Sequence, residues 1–380
     1  MAVPEAADES FPGSSPRLLF KSGFEPDTVI LPNTFQRMRN VEHLAGIDQT
    51  TGYDWRWSLA RLGLIDDAFF EYVISSPNDP RTFVSTELRT LPGPRGTPTT
   101  VLYLGMKGDD PDHSATTRNE YDLHPTAAWR QGYGRYWMMM QPDLLDIMPP
   151  TNWLMLMEWK EERNPRFTTG GTNNWRTNVT IRRENGGPPA WYFERQQVQP
   201  ERITEQRIVQ VGAPIPLGRW FEVEAFWRWG SEGRIWFAVD GETIFDQYGR
   251  FEHAYDVCPL TFWAIFKNYR GPEWFDADLS NGDESWFVYD DVEIWSDFPA
   301  DHPLRAETIL YRADFDDRAD TDWGQLPRNG GSREKPPEPR AGAGRRTWHH
   351  SDFHQGLLPP AAPPRGRVRR PARLRGSVRV

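Results

Sequence analysis

The 380-residue sequence has one cysteine, no long apolar run and little helical periodicity. The lone Cys258 excludes an intrachain disulfide framework and a cysteine-rich zinc site. No apolar run approaches the roughly 18 residues of a membrane-spanning helix, so no membrane partner is expected. The start of the chain lacks the basic and apolar stretches of a secretory signal, and the sequence by itself leaves the compartment undecided.

Acidic and basic residues are distributed unevenly along the chain. The formal net charge is −10, but residues 328–380 hold 13 basic and 3 acidic residues, a net of +10, which leaves −20 for residues 1–327. The basic segment is rich in Arg, Pro and Gly and cannot bury enough apolar area to fold. A basic arm for nucleic acid is one interpretation of it. We favour a tail without a function of its own, and predict no nucleic-acid partner.

One short segment occurs twice. LLFKSGFEPDT at 18–28 matches ILYRADFDDRA at 309–319 in its hydrophobic pair, aromatic residue, base, small residue, Phe and acid. A first strand therefore recurs just after the main domain has closed. The sequence predicts four regions along the chain: a disordered lead (1–16), a main domain (17–298), the possible start of a second, truncated copy (306–327) and a disordered basic tail (328–380).

Aromatic residues are abundant, with 18 tryptophans, enough to fill a core and still line a groove. In residues 218–245 two runs alternate with period two around a Gly-Ser-Glu-Gly turn, which predicts an antiparallel hairpin. Its outer face carries Trp220 and Trp236, and indoles exposed on a sheet suit the stacking of sugar rings. More than ten short strand-like segments between 18 and 298 predict an all-β, two-sheet antiparallel β-sandwich. Only ERITEQRIVQ at 201–210 fits helix and strand equally.

Three strand segments carry the candidate chemistry. The first places Arg118 and Glu120 on one face, the second places Glu158 and Lys160 on one face, and the third is the run from Phe266 to Arg270. A cation that neutralises a uronate carboxylate acidifies the proton on the adjacent carbon. Tyrosine or lysine can remove that proton, and tyrosine can protonate the departing glycosidic oxygen. The combination suits an acidic sugar polymer.

These segments, in this order, resemble motifs of the concanavalin A-like β-jelly-roll polysaccharide lyases, the alginate lyase and heparin lyase I-like group. TRNEYDL resembles their R-(S/T)-E strand, and AIFKNYRG resembles their YFKAG-(V/I)-YNQ strand through Phe266, Lys267 and Tyr269. YWMMMQPDLLDIMPPTNWLMLMEWKE resembles the stretch that leads to their middle motif, and VYDDVEIW their closing strand. The similarity covers about residues 17–297. It implies a jelly roll that cleaves an acidic, uronate-containing polysaccharide by β-elimination, outside the cell or in the periplasm.

The resemblance implies a role for each site residue. Arg118 neutralises the carboxylate, Tyr269 and Lys160 exchange protons, and Lys267 supports charge on the product side. The predicted substrate contacts are Glu120, Glu158, Trp159 and Arg270. One departure stands out: the lyases have Gln and His in the middle motif, where this chain has Glu158 and Lys160. A glutamate repels a substrate carboxylate at close range.

That substitution leaves two other functions open. A non-catalytic carbohydrate-binding jelly roll needs only a groove lined by Trp and Arg, and loss of the Gln/His pair favours it. A β-sandwich glycoside hydrolase needs two carboxylates roughly 5–5.5 Å apart in its retaining form. Glu158 is one candidate, with Glu120 or Glu222 as its partner.

A structural calcium site is the one cofactor that the sequence suggests. Glu25 lies on the first strand and Asp290 and Asp291 on the last, and these strands are expected to pair. Carboxylates and backbone carbonyls at such a seam are ligands that calcium prefers. No organic cofactor is expected.

Overall fold

The computed structural model describes residues 15–32, 41–72, 80–107, 118–161, 175–197, 203–230, 232–249, 251, 260–271 and 284–305. The chain divides into two units, Met1–Asp320 and Thr321–Val380, and every described residue belongs to the first. Most of the predicted lead, the truncated copy and the basic tail lie outside the described residues, as does Cys258, and those assignments remain predictions. None of the helices in the described part of the chain is both long and apolar enough to cross a membrane.

The described residues form seventeen strands, the short helix α1, one 3₁₀ turn and a helical stretch at 303–305, in keeping with the predicted all-β class. The helix α1 is Ser58–Arg61 and the 3₁₀ turn is Pro80–Thr82. The strands are β1 (Leu18–Ser22), β2 (Val29–Pro32), β3 (Val41–Ala45), β4 (Ile65–Glu71), β5 (Val84–Pro92), β6 (Pro98–Met106), β7 (Arg118–Pro125), β8 (Gln131–Met140), β9 (Asn152–Glu161), β10 (Trp175–Arg183), β11 (Ala190–Gln197), β12 (Ile203–Gln210), β13 (Phe221–Arg228), β14 (Gly233–Val239), β15 (Glu242–Gly249), β16 (Phe262–Arg270) and β17 (Ser285–Trp295).

Two antiparallel sheets contain all of these strands, which confirms the β-sandwich. The eight-stranded sheet has the order β15-β14-β13-β8-β17-β6-β5, with β1 also paired to β17. The nine-stranded sheet has the order β12-β11-β10-β9-β16-β7-β4-β3-β2. Of the segment 201–210, which the sequence left undecided, the described residues Ile203–Gln210 form the edge strand β12, which pairs with β11.

Aromatic side chains from both sheets fill the space between them. Phe266 of β16 lies 5.3 Å from Tyr136 of β8 and 4.6 Å from Tyr289 of β17, measured between ring centroids. Trp227 and Trp263 meet across the same space at 5.9 Å. Large buried rings remove much apolar surface from water and so dominate the stability of such a core. The abundance of tryptophan is thus mainly a property of the core.

The predicted hairpin forms as β13 and β14, but its indoles are not an open sugar platform. Trp236 is buried against Phe298 and His302 of the segment that follows β17. Trp220 is half-buried and donates its indole N–H to the carbonyl oxygen of Pro92. Trp236 is therefore not exposed as the sequence predicted, because a later part of the chain covers it, whereas Trp220 keeps part of its surface exposed.

Candidate functional site

The outward face of the nine-stranded sheet carries a dense set of charged side chains, here called the polar face. Period-two alternation sends Val179 and Ile181 of β10 into the core and leaves Asn178 on the opposite side. The pairing of β10 with β9, and of β16 with β7, brings the polar residues of all these strands side by side. The polar face comprises Glu71, Arg118, Glu120, Asp122, Trp153, Glu158, Lys160, Arg176, Asn178, Arg182, Glu194, Lys267 and Tyr269.

Lys267 is the centre of an ion-pair network on the polar face. Its ammonium group is fully buried and donates to Glu158 Oε2 at 2.6 Å and also to Glu120. Lys160 Nζ lies 3.3 Å from the same Glu158 oxygen, and Arg176 Nη1 lies 3.6 Å from Oε1. Burial alone would raise the pKa of Glu158, but Lys160, Lys267 and Arg176 hold it well below the usual value. Glu158 is therefore an ionised, internally compensated carboxylate.

Arg118 lies at the more exposed edge of this network. Its Nη1 is 3.2 Å from Glu71 Oε1 and 3.3 Å from Glu120 Oε1. Burial alone would lower the pKa of Arg118, but Glu120 and Glu71 raise it above the usual value. The guanidinium carbon lies 5.1 Å from the centre of the Tyr269 ring, and Lys267 Nζ lies 5.3 Å from it. Arg118 and Tyr269 are half-buried, whereas Lys267, Glu120 and Glu158 are fully enclosed.

Three carboxylates crowd together beside Arg118. Glu71, Glu120 and Asp122 each place one carboxylate oxygen within 4.8 Å of the others. Burial, followed by the charges of Glu120 and Glu71, raises the pKa of Asp122 well above its usual value. A buried acidic cluster of this kind offers oxygen ligands for a metal ion. Arg118 and Lys267 already compensate two of its members, which weakens its attraction for a further cation.

The structure brings together most of the predicted site residues. Arg118, Glu120, Glu158, Lys160, Lys267 and Tyr269 share the polar face. Trp159 and Arg270 do not, since they lie on the opposite sides of β9 and β16. Trp159 is fully buried in the core, and Arg270 donates to the backbone oxygen of Ser285 in the other sheet. Trp159 and Arg270, which were predicted to contact substrate, instead pack or bond between the two sheets.

Several residues of the polar face were missed by the sequence reasoning. Glu71 lies on β4, and its pairing with β7 is a long-range contact that local alternation does not reveal. Asp122 follows Glu120 with period two, so alternation would have placed it on the same face. Arg176 lies opposite Lys160 only through the pairing of β9 with β10.

The predicted calcium ligands Glu25, Asp290 and Asp291 lie near Gly23 beside the other sheet, with Glu25 beyond the end of β1 and not on it as expected. Among the described residues, however, only Glu71, Glu120 and Asp122 place three possible ligand atoms within 4.8 Å of one another. A methyl group built on Gly23 would lie 3.5 Å from Asp291 Oδ1, 3.6 Å from Glu25 Cγ and 3.7 Å from Asp290 Oδ1. Burial, followed by the charges of Asp291 and Glu25, raises the pKa of Asp290 to about 7. Arg95 Nη2 pairs with Asp291 Oδ2 at 2.8 Å and offsets part of the negative charge at this seam, and a bound cation would relieve the rest. Glu222 lies on β13 of this same sheet, so it is not a partner for Glu158.

No protein-family model matches the sequence, and no curated protein matches it. Solved structures of similar fold include an endo-β-1,4-glucuronan lyase from the fungus Trichoderma reesei (TM-score 0.38, 14% identity, covering 55% of this chain and 87% of that one). They also include the alginate lyase Aly36B (0.37, 13%, 51% and 80%) and the cellulose-induced protein Cip1 (0.34, 11%, 59% and 90%). Two of the three are polysaccharide lyases by name, the class that the motifs resemble. Identities and TM-scores are low, so the site is interpreted from its own geometry.

Proposed function

We propose that the protein binds an acidic polysaccharide along the polar face and cleaves it by β-elimination at Tyr269. The observation that supports this is the position of Tyr269: it is half-buried at the edge of the network, 5.1 Å from the guanidinium carbon of Arg118 and 5.3 Å from Lys267 Nζ. Arg118 and Lys267 place two cations beside the phenol, and these attract a uronate carboxylate. The enclosed residues of the network hold this edge in place.

The proposed reaction divides the work between two side chains. Arg118 pairs with the carboxylate of the sugar and so acidifies the proton on the adjacent carbon. Tyr269, as the phenolate, takes that proton while the carbon–carbon double bond forms and the glycosidic carbon–oxygen bond breaks. It then gives the proton to the departing oxygen, and no other reactant is consumed. Lys160 and Lys267, which the resemblance placed among the catalytic groups, position Glu158 and Glu120 in this proposal.

The experiment compares Tyr269→Phe with the unaltered protein on glucuronan, alginate, heparin and a neutral glucan. Elimination yields an unsaturated sugar that absorbs in the ultraviolet, and Tyr269→Phe is expected to lower its rate by about 10²–10⁴-fold, as the loss of a general acid–base group does. Tyr248→Phe is the matched control, because Tyr248 is exposed on β15 of the other sheet. An unchanged elimination rate in Tyr269→Phe would refute the assignment.

A non-catalytic glycan-binding module is the second candidate, and one observation favours it. Arg118, Lys160 and Lys267 are all paired with carboxylates of the same face, which reduces the charge left for a substrate. Such a module would retard migration in a glycan gel and release no unsaturated product. The hydrolase alternative is disfavoured because the pKa values of Glu120 and Glu158 are both lowered, and a general acid must keep its proton near neutral pH.

We further propose that Glu25, Asp290 and Asp291 hold a structural calcium ion at the seam between β1 and β17. The support is that Asp290 and Asp291 each place one carboxylate oxygen beside Gly23, that Glu25 lies next to them, and that the pKa of Asp290 is raised. An ion there would tie the first strand of the sandwich to the last, and its role would be stability rather than chemistry.

A further inference from the structure

A cleft of about 540 Å³ opens where β9 begins and β10 ends, and the proposed reaction does not use it. Residues 149–153 and 182–184 line it. Its volume lies in the range of sites that hold small organic molecules. At one side Gly271 closes the end of β16 against the cleft, since a methyl group there would lie 2.0 Å from Asn152 Oδ1.

The cleft is continuous with the polar face through Trp153. An extra residue in β9, Leu156, shifts the alternation so that Trp153 lies opposite Arg182, on the same side of the sheet as Asn178. The Trp153 ring meets the Tyr269 ring edge-on, with centroids 4.9 Å apart. A chain bound at Tyr269 therefore passes next over Trp153. A half-buried indole offers a flat apolar surface on which the C–H face of a sugar ring packs.

The cationic side chains of the cleft are only partly compensated. Arg182 Nη1 pairs with Glu194 Oε1 at 3.1 Å, but the same oxygen also accepts from Arg207 Nε at 2.7 Å. The Nε of Arg182 is buried and makes no hydrogen bond. Burial lowers the pKa of Arg182 in spite of Glu194, so its positive charge would be stabilised by a further anion.

Arg183 adds a second cation to the lining. It donates to the backbone oxygens of Met148 at 2.7 Å and Leu145 at 2.8 Å, and these groups carry no net charge. Among the described residues no carboxylate oxygen comes within 4.0 Å of its guanidinium group. Glu184 also lines the cleft, with its Oε1 4.0 Å from Arg182 Nη1. Two arginines against one glutamate still leave an excess of positive charge beside the aromatic ring of Trp153.

From these contacts we infer that the cleft is a second sugar subsite, which binds the acidic sugar unit next to the one at Tyr269, with Trp153 beneath the ring and Arg182 at its carboxylate. This inference rests on the proposed function, because it extends the polysaccharide path that starts at Tyr269. In this inference, Trp153 and Arg182 select an acidic sugar over a neutral one. The occupant is a uronate residue of the bound chain.

The test is a calorimetric titration with two pentasaccharides, an oligoglucuronate and cellopentaose, in protein that carries Tyr269→Phe to prevent cleavage. Trp153→Ala is expected to weaken the binding of oligoglucuronate about tenfold, the value of one good contact. Arg182→Gln is expected to lower the preference for oligoglucuronate over cellopentaose about tenfold. Arg219→Gln is the matched control: Arg219 pairs with one carboxylate, Asp240 at 2.7 Å, but it does not line the cleft and lies beside β13 of the other sheet, so both affinities are expected to stay within about twofold.

The outcomes distinguish the second sugar subsite from the proposed lyase activity. If oligoglucuronate binds and neither cleft variant weakens it beyond the control, the subsite is overturned while binding on the polar face stands. If both variants weaken the two pentasaccharides equally, the selection of an acidic sugar is overturned. If the unaltered protein eliminates no substrate but the titration responds as expected, the lyase proposal fails and the subsite stands. If no acidic oligosaccharide binds at all, both fall.

Discussion

Replacing Lys267 by methionine is the most direct perturbation of the polar face. Lys267 has no exposed surface, and it donates to Glu158 at 2.6 Å and to Glu120. Removing one partner of a buried ion pair costs about 3–5 kcal/mol, because it leaves buried charge without compensation. Glu120 would keep Arg118 at 3.3 Å, and Glu158 would keep Lys160 at 3.3 Å. We therefore expect a loss near the lower end of that range, about 3 kcal/mol.

Urea unfolding at pH 7 measures this loss, with Lys21→Met as the matched control. Lys21 also pairs with one carboxylate, Glu293 at 2.8 Å, but its side chain is 42% exposed, and such pairs contribute about 0–1 kcal/mol. If Lys267→Met has no native state at pH 7, adding Glu120→Gln should restore one, because Arg118 then keeps Glu71 as its partner and Glu158 keeps Lys160 and Arg176. A loss no larger than that of Lys21→Met would refute the buried network.

The same variant makes a prediction about pH. The pKa values of Glu120 and Glu158 are lowered on folding, so their stabilising contribution is present above the unfolded value of 4.5 and is lost as the pH falls below it. Without Lys267 the pKa values are lowered less, and less stability is lost on acidification. The difference in unfolding free energy between the two proteins should therefore stay constant above pH 4.5 and shrink as the pH falls further, through the folded pKa values of these carboxylates. A difference that does not change below pH 4.5 would contradict the electrostatic explanation.

Two further predictions concern the seam and the cleft. Adding calcium to chelator-treated protein is expected to raise the melting temperature by several degrees, since a ligand that binds only the folded state stabilises it. Asp290→Asn should remove that response and stabilise the metal-free protein, because burial of the ionised carboxylate is unfavourable; a melting temperature indifferent to both calcium and chelator would exclude the site. Gly271→Ala places a methyl group 2.0 Å from Asn152 Oδ1, and should lower the urea-unfolding free energy by about 1–3 kcal/mol. An unchanged free energy would mean that the ends of β9 and β16 lie further apart.

The sequence by itself determined the class of fold and much of the polar face. Period-two alternation identified the strands now named β7, β9 and β16, and it placed Arg118 with Glu120 and Glu158 with Lys160. The same alternation contained the information that Trp159 points away from Glu158, which the sequence reasoning did not use. Short strands such as Val29–Pro32 lack the alternation of polar and apolar residues from which a strand is predicted.

Only the tertiary structure decided which of these residues meet and what compensates them. The pairing of β4 with β7 supplies Glu71 to Arg118, and the extra residue in β9 turns Trp153 towards Tyr269. Neither is encoded by local alternation, because strand order and bulges depend on long-range pairing. The fold also encloses Lys267 between the carboxylates of Glu158 and Glu120, which lie 109 and 147 residues away in the sequence. A sequence pattern determines on which face of a strand each side chain lies. The ion pairs that it forms depend on which strands become neighbours in the sheet.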